Sequence, residues 1–243
     1  MRRPAAVLFV LSTTATAFAG TTVQFPYEDA ERLYPYQHDG GLAYVTGTAT
    51  TAKVPLVIFL HGNNTQFQVH MWMAGVQDLR PLASKLAGEV GSTFVLAAPS
   101  QSRDAQIATS LWTGLDIDDF AAKTASAVGG MAEIDPDRVY VIAHSGAGCN
   151  PNGGITRAAH AHVRAVMALD TCLDEESGKS FAPLTRLWVL WQANSWPRDI
   201  AAFERGLGYA AVGVRIDEVA MSGQGAHDAI VAEGFARAIR TWL

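Results

Sequence analysis

Charge is scarce in this chain. Asp, Glu, Lys and Arg make up 17% of its 243 residues, too few for a highly charged disordered polymer. The basic residues are also outnumbered, 18 Lys and Arg against 23 Asp and Glu, for a formal charge of −5. A nucleic-acid partner calls for clustered Lys and Arg, so that class is set aside. Cysteine is limited to Cys149 and Cys172, whose spacing fits no C-x-x-C zinc pattern. Internal repeats and low-complexity tracts are missing. No second long apolar run follows the N-terminal one, so no membrane span is expected in the mature chain. What the chain has in quantity is apolar: 49% hydrophobic residues, ample for a packed core.

The first 19 residues read as a secretory signal peptide. Met1-Arg2-Arg3 supplies the positive start, Ala5–Leu11 a short apolar stretch, and Ala17-Phe18-Ala19 a small-x-small cleavage site. The apolar stretch is too short to cross about 30 Å of hydrocarbon. Cleavage after Ala19 removes two arginines and takes the formal charge from −5 to −7. The expectation is a secreted or periplasmic protein, with residues 20–243 as one domain.

Apolar runs alternate with helical patterns through that domain, which points to an α/β fold with a largely parallel sheet covered by helices. Strands are expected at Thr22–Phe25 and Leu42–Thr46, antiparallel at a sheet edge. Further strands are expected at Val54–Leu60, Thr93–Ala97, Arg138–Ala143, Arg164–Leu169, Leu187–Trp191 and Val212–Ala220. Helices are expected at His70–Leu86, Asp116–Met131, from the Gly-rich stretch after Ser145 to Ala161, Pro197–Gly206 and Ala229–Leu243. Ile134-Asp135-Pro136-Asp137 reads as a turn.

The chemistry centres on Ala143-His144-Ser145-Gly146-Ala147-Gly148, between a buried strand and a helical segment. A serine on such a sharp turn exposes its hydroxyl above the sheet. Small residues are needed two before and two after it, and Ala143 and Ala147 stand where glycine is usual. A phosphate loop would require a Lys-Ser/Thr ending, and no lysine follows. Ser145 is therefore the candidate nucleophile. Its hydroxyl reacts only once a base takes the proton, and His227 is the best base. It lies between the last strand and the last helix, at the carboxyl edge shared with Ser145 in a parallel sheet. His144 adjoins the nucleophile with its side chain directed away, while His160 and His162 sit two apart and share no helix face. The turn Leu60-His61-Gly62-Asn63-Asn64 follows the first strong strand. The backbone N–H groups of Asn63 and Gly146 are the candidate oxyanion donors, with His61 bracing the turn.

Taken together, VIFLHGNN (57–64), FVLAAPS (94–100), IDPDRVYVIAHSGAG (134–148), ALDTC (168–172) and GAHDAI (225–230) resemble the α/β-hydrolase family. The third segment resembles secreted esterases, including feruloyl esterase and polyhydroxyalkanoate depolymerase relatives. The resemblance implies an eight-stranded, mostly parallel sheet and a Ser–acid–His triad in that chain order. Only 16 residues, 171–186, separate two late strands, so the lid is minimal.

The acid has rival positions. Asp170 closes a strand, whereas Asp199 follows the next strand, where this family more often places its acid. Asp199 is also explained by the dipole of a helix beginning near Pro197, which favours Asp170; Asp174 is a third option. If the two strands are neighbours, Cys149 and Cys172 can meet, and export permits their disulfide. Trp72, Trp112 and Trp196 follow strand ends, where they either line an aromatic cleft or pack. The expected activity is hydrolysis of small-molecule or polymeric carboxylic esters through an acyl-serine, with no metal or organic cofactor. A peptidase or amidase using the same triad, or a catalytically silent binding protein on this fold, are the alternatives. Nothing in the sequence specifies the oligomeric state.

Overall fold

The structure is a computed structural model that describes residues 20–27, 40–48, 50–62, 78–99, 112–193, 198–221 and 225–243. Its centre is β3 (Lys53–Leu60), where every residue after Lys53 is buried. A strand covered on both faces needs a continuous apolar run rather than alternation, and VPLVIFL supplies it. β4 (Val95–Pro99) and β5 (Glu133–His144) flank β3 in parallel. β6 (Ala165–Leu169), β7 (Leu187–Trp191) and β8 (Arg215–Glu218) continue the parallel order. At the other side β2 (Gly40–Thr46) runs antiparallel to β4, and β1 (Gly20–Pro26) antiparallel to β2. The described residues thus form one eight-stranded sheet in the order β1-β2-β4-β3-β5-β6-β7-β8.

Helices cover both faces. α2 (Ile117–Val128), α3 (Glu175–Phe181) and α4 (Ile200–Leu207) bury Phe120, Phe181 and Phe203 against Val54, Leu56 and Ile58 on one face. α1 (Leu79–Val90) and α5 (Ala226–Trp242) bury Leu86 and Phe235 against Val57 and Phe59 on the other. The period of two along β3 sends alternate side chains to the two layers. Asp78, Asp116, Asp174 and Asp199 cap α1 to α4, each accepting a backbone N–H of the first turn.

Several boundaries differ from the sequence expectation. α1 ends at Val90 rather than Leu86, and expected helical positions 70–77 lie outside the described residues. The expected turn at 134–137 sits inside β5 as a bulge. Val54 pairs with Ile134 and Leu56 with Val139, so intervening residues loop out, with Asp137 N–H bonded to Asp135 Oδ1 at 3.1 Å. The α-helix expected between Ser145 and Ala161 does not form. Two 3₁₀ segments, Ser145–Gly148 and Gly154–His160, replace it. Asn150-Pro151 breaks the helical ladder, because proline lacks an N–H. Gly154 then takes a φ of +56° and presses on the Ala147 carbonyl, where a Cβ would stand 2.1 Å from the oxygen. α3 forms within 171–186, a stretch in which the sequence pattern predicts no helix. β8 is shorter than expected because Gly208–Gly213 forms a 3₁₀ segment ahead of it. α5 begins at Ala226 rather than Ala229, so His227 belongs to a helix turn and not to the preceding loop.

Candidate active site

The parallel strands bring their carboxyl ends to one edge, and three of the sequence candidates meet there. Ser145 follows β5 with a φ of +54°, and Asp170 follows the neighbouring β6 with a φ of +42°. Both are non-glycine residues in the left-handed region. Such backbone costs about 1–3 kcal/mol at each position and persists only where the surroundings enforce it. At Ser145 the enforcement is visible. Thr171 donates its hydroxyl to the Ser145 carbonyl at 2.6 Å, and the Cys149–Cys172 disulfide joins the segments beyond the two strand ends. From the side of β3, Gly62 lies so close that a Cβ on it would stand 2.5 Å from Ser145 Cβ. Any larger residue at 62 would push the serine off its turn.

His227 reaches this edge from the first turn of α5. Its Nδ1 lies 2.5 Å from Asp170 Oδ2. A carboxylate only accepts, so Nδ1 carries the proton in the neutral ring and Nε2 keeps the lone pair. The His227 backbone carbonyl accepts a hydrogen bond from His144 Nε2 at 2.9 Å, and the two imidazoles lie 4.5 Å apart. His144 is fully buried, and that burial, aided by the nearby His227, pushes its pKa down to about 3. It stays neutral and serves as a fixed donor.

Asp170 is completely buried. Besides His227 it accepts Gln192 Nε2 at 3.0 Å and Arg198 Nη2 at 2.7 Å. Burial opposes the charged carboxylate, but the bonds from His227 and Gln192 and the Arg198 charge outweigh it and hold the pKa below the usual range. Asp199, the other candidate acid, is occupied elsewhere. Its Oδ1 accepts Ala202 N–H at 2.8 Å as the cap of α4. Asp174 likewise caps α3, accepting Ser177 N–H at 2.8 Å.

Of the oxyanion candidates, Gly146 is buried in the 3₁₀ turn opened by Ser145. Asn63 lies outside the described residues, as do residues 1–19, His38, His70, Trp72 and Trp196. His61 braces its turn, with Nδ1 at 2.9 Å from the Gly62 carbonyl. Trp112 packs rather than lining a cleft. It is 3% exposed, and its indole N–H donates to the His61 carbonyl at 3.0 Å. Its own carbonyl accepts Gly154 N–H at 3.3 Å, so one residue ties the His61–Gly62 turn to the segment beyond the serine. His160 is exposed, and His162, also exposed, meets Asp137 at 3.0 Å.

His144, His227 and Asp228 bring side-chain atoms within 4.8 Å of one another. One nitrogen of each ring is engaged within this group, His144 Nε2 with the His227 carbonyl and His227 Nδ1 with Asp170.

Sequence reasoning missed Gln192, Arg198 and Thr171. The first two follow the end of β7, close in sequence to Asp199. An arginine in a stretch between a buried strand and an apolar helix was the available signal.

Solved structures share this architecture. The S-formylglutathione hydrolase of Agrobacterium tumefaciens matches 94% of this chain and 98% of its own, at 11% identity and a TM-score of 0.55. Fluorophosphonate-binding serine hydrolase F of Staphylococcus aureus matches 92% of this chain and 98% of its own, at 12% identity and a TM-score of 0.56. This chain has the α/β-hydrolase fold. The same α/β-hydrolase core is found in dipeptidyl peptidase 4 of Porphyromonas gingivalis, at 13% identity and a TM-score of 0.56. The match covers 92% of this chain but spans only about a third, 35%, of that longer protein. No protein-family model and no curated protein matches the sequence.

Proposed function

We propose that this α/β-hydrolase chain is an exported serine hydrolase that cleaves carboxylic esters through an acyl-serine intermediate. Ser145 is the nucleophile, His227 the general base and Asp170 the acid. The observation that carries the reading is the 2.5 Å contact between His227 Nδ1 and Asp170 Oδ2, beside a serine held at a φ of +54° on the adjoining strand end. With Nδ1–H committed to Asp170, Nε2 has the lone pair to take the Ser145 proton as Oγ attacks the ester carbonyl. The negative oxygen of the tetrahedral intermediate is received by the N–H groups of Gly146 and Asn63. Collapse expels the alcohol, which takes the proton from His227. Water then repeats the sequence on the acyl-serine, returning the free enzyme and a carboxylic acid.

Export is supported by the Met1–Ala19 leader pattern and by the disulfide, which persists in oxidising compartments. The short α3 between β6 and β7 suits a site with a minimal lid, open to small or polymeric esters of the kind cleaved by feruloyl esterases and polyhydroxyalkanoate depolymerases. A peptidase or amidase reading is the second, favoured by the fold match to dipeptidyl peptidase 4. Labelling with a fluorophosphonate probe, followed by a panel of ester and amide substrates with Ser145→Ala as blank, tests both. Labelling at Ser145 with ester turnover is expected. An unlabelled Ser145 would sink the hydrolase, and faster amide than ester turnover would select the peptidase.

A further inference from the structure

The Asp170 carboxylate is shared. One oxygen faces His227 Nδ1 at 2.5 Å and the other faces Arg198 Nη2 at 2.7 Å. Side-chain exposure is 0% for Asp170 and 1% for Arg198, so water does not screen this pair. A guanidinium buried on the far side of an acid is more than packing, because it changes the charge that the imidazole meets. We propose that Arg198 is a positioning residue that, acting through Asp170, both orients the carboxylate toward His227 and offsets part of its charge, and so sets the pH range in which the site works. The inference rests on the triad reading above.

Among the described residues, four groups besides Ser145 bear on His227. Asp170 comes from the end of β6, with Arg198 behind it. His144 comes from the end of β5 and is neutral, and Asp228 is the next residue of α5. His227 must be neutral to act as a base, and a negative neighbour favours its protonated form. Arg198 opposes that by partly neutralising Asp170. It also keeps Asp170 ionised, since the arginine charge is one of the causes that hold its carboxyl below the usual range. Loss of the charge therefore has two consequences, a carboxylate left uncompensated beside the imidazole and a more readily protonated Asp170. Both move the acidic limb of activity to higher pH. Gln192, the other partner of the acid, also helps keep it ionised through its hydrogen bond but carries no charge to offset that of the carboxylate.

The test is the pH profile of kcat/KM on an activated ester for Arg198→Gln and Arg198→Lys in the full-length mature enzyme. Gln keeps a donor for the carboxylate and removes the charge, while Lys keeps the charge without the planar fork. Arg198→Gln should move the acidic limb up by about one pH unit. Arg198→Lys should leave the limb in place while kcat falls on the order of tenfold from imperfect orientation. A folded Arg198→Gln with the wild-type limb overturns the proposal, and so does an equal shift in both variants. Removing one partner of a buried pair can unfold a chain. If Arg198→Gln does not fold, Arg198→Lys decides alone, and a shift of a full pH unit in that variant overturns the proposal. Fluorophosphonate labelling of Ser145 in parallel separates the two readings. Labelling with an unmoved limb rejects the role of Arg198 alone, whereas absent labelling rejects the triad itself.

Discussion

In the proposed mechanism Ser145, His227 and Asp170 act as one unit, so single changes at any of them should be severe. Ser145→Ala should abolish ester turnover in a folded protein, and His227→Ala should do the same, because the members of such a unit are not additive. Steady-state assays with circular dichroism as a fold control would show it; an active Ser145→Ala protein would remove the serine from the mechanism. The choice of acid is tested by paired amides. Asp170→Asn should cut kcat on the order of 10⁴-fold, since an amide can hold the wrong His227 tautomer. Asp199→Asn should do far less, because Asn caps a helix about as well as Asp and the α4 N–H bond survives. The reverse ranking would reassign the acid to Asp199.

Among the elements, the ends of β5 and β6 carry the site, and their mutual fixation decides its geometry. The Cys149–Cys172 bridge and the Thr171 hydroxyl tie one end to the other. A non-reducing digest of the protein should yield a single peptide pair linked through these cysteines, and recovery of both as free thiols would refute the bridge. For a loop closed across a sequence separation of 23 residues, chain entropy assigns the bridge roughly 3.5 kcal/mol, from which native strain subtracts. That is a large share of a typical stability of about 5–15 kcal/mol. Reduction should therefore lower the thermal midpoint and the activity together. A fall in stability with full activity would show that the hydrogen bonds alone hold the strand ends.

For the molecule as a whole, the buried His144 links folding to pH. The unfolded chain protonates this ring below about pH 6.5, whereas in the fold burial pushes its pKa down to about 3. The unfolded state binds the extra proton throughout that interval, so stability drops as pH falls from about 6.5 towards 3, by about 3 kcal/mol at pH 4. Asp170 contributes in the same sense at lower pH. Its folded pKa is depressed, so its contribution is present above the unfolded value and disappears as pH falls through the folded one. Urea unfolding at pH 7 and pH 4 should show a smaller loss for His144→Gln than for wild type. Equal losses would place the acid sensitivity elsewhere.

The amino-acid sequence by itself determined the chain order of the eight strands, because a buried parallel strand such as VPLVIFL needs an unbroken apolar run that few other contexts tolerate. It also determined which serine and which histidine stand at the carboxyl edge, since a Ser-Gly turn after such a strand leaves a local signature. What local pattern left open was settled by long-range packing. Asp170 and Asp199 are equally acidic in sequence; only the register of β6 beside β5, and of α5 above them, puts one carboxylate against His227 while the other caps α4. The helix expected after Ser145 gave way to two 3₁₀ segments because Pro151 and the close approach of Gly154 to Ala147 override helical periodicity. Arg198 was illegible for the same reason. Its meaning is a 2.7 Å contact with a residue 28 positions away in the chain, and a contact of that kind exists only once the sheet has assembled.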